Sequence, residues 1–317
     1  MIDVIVKSLC REARDVLSFE LARQDDEPLP AFSAGSHIDV YLPNGMVRQY
    51  SLCNHPEEHH RYQIAVLCDP NSRGGSEWIH ANLKAGDRIR ISEPRNLFPL
   101  AHEPSRALLF AGGIGITPIL CMAERLAHID ADFELHYCAR SREQAAFVER
   151  ISLSPFANSV HLHFDDGASG QRADIPALLA GAGENSHLYV CGPTGFMDFV
   201  LDSARRSGWA EARLHREYFT AAPQATGGDT AFEVQLASTG VVVPVAADQS
   251  VVDALQAIGV EVPVSCEQGV CGTCLTRVLE GEPEHRDMFL TEAEQTANDQ
   301  FTPCCSRAKS ARLVLDL

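Results

Sequence analysis

Three cysteines within one short stretch, Cys266–Cys274, constrain this chain more than any other feature. Four residues separate the first cysteine from the second and two separate the second from the third, which is the spacing of plant-type 2Fe–2S clusters. Gly269 and Gly272 lie between them, where a loop wrapped around a cluster needs positive φ or close backbone approach. A fourth thiolate must come from elsewhere, and Cys304 and Cys305 are the candidates.

The main alternative for these cysteines is a zinc site in a non-enzymatic or redox-sensing module. Zinc sites usually combine a close cysteine pair with a second close pair or with histidines, whereas here three cysteines cluster and a separate position follows. The spacing therefore favours an iron–sulfur cluster over zinc, and a disulfide framework least. Such a cluster moves single electrons, so the rest of the chain should supply them.

Length, charge and cysteine number limit the class of protein. A chain of 317 residues suggests two or three domains, and a net charge of −17 argues against nucleic-acid or anionic-membrane partners. The eleven cysteines are an odd number, and those outside the cluster form no framework, which fits a reducing cytoplasm. The N-terminus lacks a signal-peptide layout. The longest uncharged run, 107–123, contains three glycines and a proline, so it predicts a strand, a turn and a helix rather than a membrane span.

The N-terminal third alternates between apolar and polar positions, which is typical of short, half-buried strands. Gly, Pro and Asn turns divide the segments, and together they predict a small antiparallel β-barrel. The alternating segments are 3–7, 16–21, 37–42, 62–67 and 87–91.

Two stretches of this barrel carry groups suited to a phosphorylated flavin. Arg48, Tyr50 and Ser51 lie along one strand and would supply a cation, a ring and a hydroxyl. The turn 73–76 contains two glycines and a serine before a short helix, so its backbone amides would form an anion nest for phosphate. Ordinary strand packing and an exposed turn are the alternatives for each stretch taken alone.

The middle of the chain changes character after Pro104. Residues 106–111 form a continuous apolar run, as expected of a buried parallel strand, and a glycine-rich turn and a helical pattern follow. Thr117 is the predicted N-cap and Pro118 the predicted first helical residue. The glycines would let a dinucleotide pyrophosphate approach the helix N-terminus.

Further strands are predicted at 133–139 and 188–191, and the alternation of strands with helices indicates a parallel sheet covered on both faces. Ser141 and Arg142 follow the first of these strands, where a nucleotide ribose would lie. Cys191 ends the second, and its place at the carboxyl edge favours contact with the nicotinamide at least as much as a structural role.

The C-terminal segment has the pattern of a β-grasp ferredoxin domain. It begins after a small, polar linker at 221–229 with clean alternation at 232–236. A helix capped by Ser250, the cysteine loop and a final strand at 312–316 follow.

These motifs stand in the order found in the phthalate dioxygenase reductase family, which includes vanillate demethylase reductases, and the whole chain resembles that family. The resemblance implies an FMN-binding β-barrel over 1–102, an NAD(P)-binding α/β domain over 103–222, a linker over 223–231 and a plant-type ferredoxin domain over 232–317. It implies a cytoplasmic reductase that passes electrons from NADH through FMN and a 2Fe–2S cluster to a separate Rieske-type aromatic oxygenase or demethylase. The alternative is a stand-alone NAD(P)H diaphorase or flavin reductase.

The resemblance also assigns site residues. For the flavin they are Arg48, Tyr50, Ser51, Ala65, Val66, Gly74, Gly75 and Ser76. For the pyridine nucleotide they are Gly112, Gly113, Gly115, Thr117, Ser141, Arg142, Cys191, Gly192 and Pro193. The groups expected beside the reacting atoms are Ser51, Cys191 and Phe219, with Tyr218 as a neighbouring alternative. The implied cluster ligands are Cys266, Cys271, Cys274 and Cys304.

Two positions depart from the family pattern. The family usually has one cysteine where this chain has Cys304 and Cys305. In an extended segment only one of two neighbours faces the cluster, and Cys304 is chosen because its spacing from Cys274 resembles that of plant ferredoxins. The family commonly uses NADH, whereas Ser141 and Arg142 resemble the 2′-phosphate site of plant ferredoxin–NADP reductases, so NADPH stays open.

Overall fold

The computed structural model describes residues 1–70, 72–101, 106–168, 171–183, 185–219 and 228–317. These residues form two compact units, Met1–Glu217 and Tyr218–Leu317. The predicted boundary at 102/103, and the predicted linker over most of its length, lie outside the described residues, so the domain limits stay predictions. Within the described ranges, no helix combines the length and the apolar character needed to cross a membrane.

The first unit begins with an antiparallel sheet. Its strands β1 to β7 are Ile2–Ala13, Val16–Ala22, Ser36–Tyr41, Val47–Ser51, Tyr62–Leu67, Arg88–Ile91 and Arg95–Asn96. Their order is β4-β3-β6-β1-β2-β5, with β7 paired to β3. A bridge between Leu52 and Ile64 joins the segment after β4 to β5, so the two ends of the sheet meet as a barrel. The helix α1, Gly75–Asn82, follows β5.

Alternation along the strands decides which side chains fill this barrel. In β6 both arginines are exposed, whereas Ile89 and Ile91 are buried. Side chains on a strand point alternately to opposite faces, so one face joins the apolar core and the other meets water. The antiparallel sheet expected from the sequence is thereby confirmed.

A five-stranded parallel sheet completes the first unit. Its strands β8 to β12 are Arg106–Gly112, Phe133–Ala139, Val160–Phe164, Ser186–Cys191 and Leu214–Glu217. The helices α2 to α5 are Ile116–His128, Val148–Ser152, Ile175–Ala180 and Thr194–Arg206. The strand order is β10-β9-β8-β11-β12, with every neighbouring pair parallel, as the sequence predicts. The carboxyl ends of β8 and β11 therefore lie side by side.

The predicted N-cap of α2 is wrong. The helix begins at Ile116 after a 3₁₀ turn at Gly113–Gly115, and no side chain caps it. Thr117 is its second residue, and its hydroxyl donates to the Ile114 carbonyl over 3.1 Å. The 3₁₀ turn runs directly into the helix, so the chain enters α2 without the extended residue that an N-cap requires.

The second unit is a mixed sheet with two short helices. Its strands β13 to β19 are Phe232–Leu236, Val242–Val245, Thr276–Glu280, Pro283–Glu284, Gln300–Phe301, Arg307–Ala308 and Arg312–Leu315. The helices α6 and α7 are Val251–Gln256 and Glu292–Ala297. The order is β14-β13-β19-β15-β17, and β16 pairs with β18. The Ser250 side chain caps α6 by accepting from the Asp253 amide, so that predicted cap is confirmed.

Candidate functional site

The predicted phosphate loop and the predicted flavin strand come together in the barrel. Gly74 is the N-cap of α1 and adopts a φ of 85°, which favours glycine. Arg48 on β4 lies directly over the turn, since its Nη2 donates to the Arg73 carbonyl over 3.0 Å. A Cβ on Gly75 would come within 2.5 Å of the Arg48 Nε, so glycine lets the guanidinium approach the helix start. A cation beside the first amides of a helix is suited to a phosphate.

Ser76 belongs to the internal hydrogen bonding of this turn. Its hydroxyl donates to the Ser72 Oγ over 3.0 Å and accepts from the Asp69 amide over 3.3 Å. The side chain thus fixes the shape of the loop, and its own backbone amide lies in the first turn of α1.

The remaining predicted flavin residues lie on β4 and β5. Burial raises the pKa of the half-buried Tyr50, so its ring stays neutral. Ala65 and Val66 are buried on β5. The Val66 carbonyl already meets the His80 Nε2 at 2.8 Å, so this oxygen has a protein partner.

Ser51 makes an unpredicted contact with a buried carboxylate. It ends β4, and its hydroxyl donates to Glu217 Oε2 over 3.1 Å. The Glu217 side chain is only 13% exposed, and desolvation raises its pKa to about 8, although the Ser51 hydroxyl lowers it. The His37 Nδ1 lies 4.0 Å from its other oxygen. The parallel register pairs Glu217 with Cys191 on the neighbouring strand. Glu217 therefore lies next to both Ser51 and Cys191, the two residues of this unit that are predicted to lie beside the reacting atoms.

Two glycine-containing turns, Gly112–Gly115 and Cys191–Pro193, pack backbone against backbone; we call them the nucleotide crevice. A Cβ on Gly115 would lie 2.3 Å from the Cys191 carbonyl oxygen. A Cβ on Gly192 would lie 2.9 Å from the Gly112 Cα. Burial raises the pKa of the Cys191 thiol well above its usual value, so it presents a neutral group. The structure thus brings together the nicotinamide-side residues that the sequence predicts.

Ser141 and Arg142 lie beyond β9, at the next strand end along the sheet. The sequence did not single out the two carboxylates beside them, Asp165 and Asp166. Their amides donate to the carbonyls of Ala139 and Arg140 over 3.1 and 3.2 Å, which holds the exposed pair against the end of β9. The sequence does contain a signal for them, because the alternating segment 160–164 predicts a strand and Asp-Asp-Gly follows it directly.

The loop Cys266–Cys274, which we call the cluster loop, turns its backbone amides toward sulfur. The Gln268 amide donates to the Cys266 sulfur over 3.3 Å, and the Thr273 amide donates to the Cys271 sulfur over 3.4 Å. Gly269 and Gly272 have φ values of 72° and 64°. These are the positive angles that the sequence predicts for a loop curved around a cluster.

Four thiols converge in two pairs in the second unit. Cys266 lies within hydrogen-bonding reach of Cys271, and Cys274 lies within reach of Cys304, which also contacts Cys266. Two iron atoms sharing bridging sulfides take two thiolates each, so this donor set fits a 2Fe–2S cluster. Among the described residues, no three His, Cys, Asp or Glu side chains are arranged around one single-ion position.

The segment with the fourth cysteine is a turn rather than the extended stretch that the sequence argument assumed. The amides of Cys305 and Ser306 both donate to the Thr302 carbonyl, over 3.2 and 2.9 Å. Neighbouring side chains therefore need not point to opposite faces, and the Cys305 thiol lies beside that of Cys304. The choice of Cys304 as ligand stays a prediction, although its contacts with two other cysteines favour it.

Phe219 and its neighbour Tyr218 follow β12. Phe219 is 37% exposed. Both lie in the second compact unit, so their predicted place beside the flavin stays a prediction.

Comparisons with known proteins agree with this arrangement. Residues 234–309 match the model of the 2Fe-2S iron-sulfur cluster binding domain. The chain is 59% identical to a vanillate O-demethylase oxidoreductase of Pseudomonas sp. (strain HR199 / DSM 7063), over all of both chains. It is 40% identical to the carnitine monooxygenase reductase subunit of Escherichia coli (strain K12), over 100% of this chain and 98% of the relative. The solved phthalate dioxygenase reductase, described as a modular structure for electron transfer from pyridine nucleotides to [2Fe-2S], superposes with a TM-score of 0.78 at 39% identity, covering 100% of this chain and 98% of that one.

Proposed function

The chain belongs to the family of phthalate dioxygenase reductase and the vanillate O-demethylase oxidoreductases, and on that premise we propose that it delivers electrons from NADH to a Rieske-type aromatic demethylase or oxygenase. The observation that carries the proposal is that both halves of such a reductase are present: a barrel and crevice suited to flavin and nucleotide, and four converging thiols. The full-length match to vanillate O-demethylase oxidoreductases makes a vanillate-type demethylase the first partner to test.

When bound, FMN and the 2Fe–2S cluster supply the redox chemistry, dividing a two-electron hydride transfer into single-electron transfers. Arg48 and the amides of Gly75 and Ser76 would hold the flavin phosphate, and Tyr50 would lie against the ring. Cys266, Cys271, Cys274 and Cys304 would ligate the cluster. These roles use the donors that each cofactor requires.

The residues of the nucleotide crevice bind and orient the nicotinamide. Gly112 and Gly115 allow close approach of the pyrophosphate, and the neutral Cys191 thiol packs against the ring. Ser51 and Glu217 exclude water and hold a proton at the Glu217 carboxyl, since its pKa is raised to about 8. The pair thereby keeps a neutral hydrogen-bonded group beside the flavin near physiological pH.

NADH is the proposed donor because Asp165 and Asp166 would repel a 2′-phosphate at the end of β9. The cytoplasm is the proposed location, since the eleven cysteines are all free thiols in the structure.

The first experiment is the visible spectrum of the purified protein before and after anaerobic NADH, and separately NADPH. Flavin bands and broad iron–sulfur absorbance, both bleached by NADH, are expected. A flavin spectrum without the broad component would support a free-standing diaphorase, and a colourless zinc protein would contradict the proposal.

Reconstitution with a purified demethylase oxygenase distinguishes the proposed function from the remaining alternative, a stand-alone flavin reductase. NADH-dependent formaldehyde release from vanillate is expected only when both proteins are present. Release that is equally fast with the isolated first unit would show that the cluster is dispensable and favour a simple flavin reductase.

A further inference from the structure

Arg14 joins the antiparallel barrel to the nucleotide half of the first unit. It lies in the turn between β1 and β2, and its backbone amide donates to the Glu143 carbonyl over 2.9 Å. Its side chain reaches the same residue, since Nη2 donates to Glu143 Oε2 over 2.7 Å. Arg11 supports this turn by donating from Nη1 to the Arg14 carbonyl over 2.6 Å. One residue of the barrel therefore binds both the main chain and the carboxylate of Glu143.

Glu143 belongs to the turn that carries the predicted ribose residues. This 3₁₀ turn, Arg142–Gln144, follows β9. The Tyr137 hydroxyl accepts from the Ala146 amide over 2.9 Å, which holds the segment after the turn against the sheet. The turn is thus held on one side by Arg14 and on the other by Tyr137. Both of these hydrogen bonds use backbone amides, so neither depends on the Arg14 guanidinium.

The Arg14 guanidinium has an electrostatic effect instead. Glu143 is the direct neighbour of Arg142, the cation expected at the nucleotide ribose. In the described ranges, the exposed Arg142 side chain forms no hydrogen bond or ion pair. The neighbouring carboxylate is bound to Arg14, so the Arg142 guanidinium stays available for an anionic ligand. Without Arg14, Glu143 would present an uncompensated negative charge to a ligand that contains a pyrophosphate.

We propose that Arg14 is a positioning residue for nucleotide binding: it holds the Glu143 carboxylate, so that Arg142 can contact the ribose or phosphate oxygens of the nucleotide. The inference rests on the proposed function, since it takes the end of β9 as part of the nucleotide site. The Arg14 and Glu143 side chains are both exposed, so their pairing contributes little to folding. Its effect should appear in nucleotide affinity and should decrease as ionic strength rises, because salt screens exposed charges.

The test measures the Kd of adenosine diphosphate ribose by calorimetry, and the kcat and KM for NADH with ferricyanide as acceptor. Adenosine diphosphate ribose lacks the nicotinamide, so its Kd reports on the adenosine half of the site alone. At low salt we expect Arg14→Ala to raise the Kd and the KM about fivefold, the size of an exposed charge interaction, while kcat changes less. Arg14→Lys should keep most of the affinity, because an ammonium group can still pair with Glu143. Adding Glu143→Gln to Arg14→Ala should restore the affinity, since no uncompensated carboxylate is left.

Arg23→Ala is the matched control. Arg23 forms an ion pair with Asp25 over 3.1 Å after β2, so this pair lies within the barrel. The substitution removes one cation from the same barrel, and the Kd and KM should stay at the values of the unaltered protein.

Three results would overturn the inference. An unchanged Kd in Arg14→Ala would mean that Arg14 has no part in nucleotide binding. An equal rise of the Kd in Arg23→Ala would assign the effect to the net charge of the protein. A double variant that binds as weakly as Arg14→Ala would mean that Arg14 does not act through Glu143. An unaltered protein that neither binds adenosine diphosphate ribose nor is bleached by NADH is a separate outcome and would refute the proposed function itself.

Discussion

The nucleotide crevice and the cluster loop both depend on glycine, but positive φ adds to close packing at Gly269 and Gly272 and does not at Gly112 and Gly115. Gly112 and Gly115 have φ values of −111° and −59°, which any residue adopts. They are glycines because a Cβ would strike the facing turn. At Gly269 and Gly272 a Cβ would also clash, with Cys305 and Phe289, and the positive φ by itself already selects glycine there.

This difference indicates how each site obtains its shape. The crevice is built from the ends of β8 and β11 and the first turns of α2 and α5, so protein contacts alone define it. The described residues between α6 and β15 form neither helix nor strand, and amides directed at sulfur hold the loop. A loop of this kind gains much of its stability from the bound metal. The crevice should therefore respond to added volume and the loop to loss of a ligand.

Replacing a ligand should have the largest effect and should leave the crevice working. We expect Cys271→Ser to lose the cluster and to reduce NADH-dependent cytochrome c reduction to background. Ferricyanide reduction at the flavin should stay within about twofold, because the crevice belongs to the other compact unit. Both activities are measured on one preparation with its iron content. Loss of both together would contradict two separately built sites.

Adding volume to the crevice should have the next largest effect. In Gly115→Ala the new methyl group would lie 2.3 Å from the Cys191 carbonyl oxygen, and backbone cannot move aside cheaply. We expect a loss of about 3 kcal/mol in unfolding free energy and slower flavin reduction by NADH in stopped flow, with an unchanged cluster spectrum.

Gly195→Ala provides the matched control, since it makes the same substitution in a helix that follows the other turn of the crevice. Gly195 lies in α5 with open space at its Cβ position, so alanine should stabilise the helix by about 0.5–1 kcal/mol. Equal destabilisation by the two substitutions would mean that close approach is not what selects Gly115.

The sequence predicted most of the fold because its strongest signals are local. The alternation in β6, the apolar run of β8 and the Ser250 cap all depend on neighbours within a few residues. The cysteine spacing likewise predicted a tightly curved loop, and with it the positive φ angles at Gly269 and Gly272. Such patterns need no knowledge of what lies across the sheet.

What the sequence did not predict depends on contacts between distant segments. Glu217 ends a strand too short to recognise from sequence, and it becomes notable only because Ser51, far away in the chain, donates a hydrogen bond to it. The extended conformation assumed for Cys304 and Cys305 was wrong because the Thr302 carbonyl accepts two amides and closes a turn. The Thr117 cap failed because the preceding 3₁₀ turn was not visible as a periodicity.

A smaller effect concerns Glu217, which pairs in register with Cys191 of the crevice and has a largely buried carboxyl whose folded pKa is raised from 4.5 to about 8. Between those values the unfolded chain is ionised while the folded chain still holds the proton, so stability is lost as pH rises. Glu217→Gln removes this loss and keeps an acceptor for Ser51. We expect its stability advantage to be negligible at pH 4.5 and to grow to about 1–3 kcal/mol by pH 8.

Thermal unfolding midpoints measured between pH 4.5 and 8 check this prediction. Parallel curves for the two proteins would mean that Glu217 titrates normally in the folded state. Flavin reduction by NADH is recorded alongside, and it should lose its dependence on pH in this range if the Glu217 proton matters to nicotinamide binding.

The smallest expected effect concerns the choice between NADH and NADPH by the carboxylates held against the end of β9. Asp165 and Asp166 are exposed, so their repulsion of a 2′-phosphate is screened and should amount to about 1 kcal/mol. The double variant Asp165→Asn, Asp166→Asn should therefore raise the kcat/KM for NADPH relative to NADH about fivefold, with little change for NADH itself. Asp130→Asn, which neutralises an exposed carboxylate after α2 at a φ of 54° that asparagine accepts, is the control. An equal change in the NADPH preference of that control would mean that the net charge of the protein, and not the position of Asp165 and Asp166, causes the effect. A change confined to the Asp165–Asp166 pair would mean that fixed charges on an already folded domain select the nucleotide. The cluster loop differs, because its conformation depends on the metal cluster that it binds.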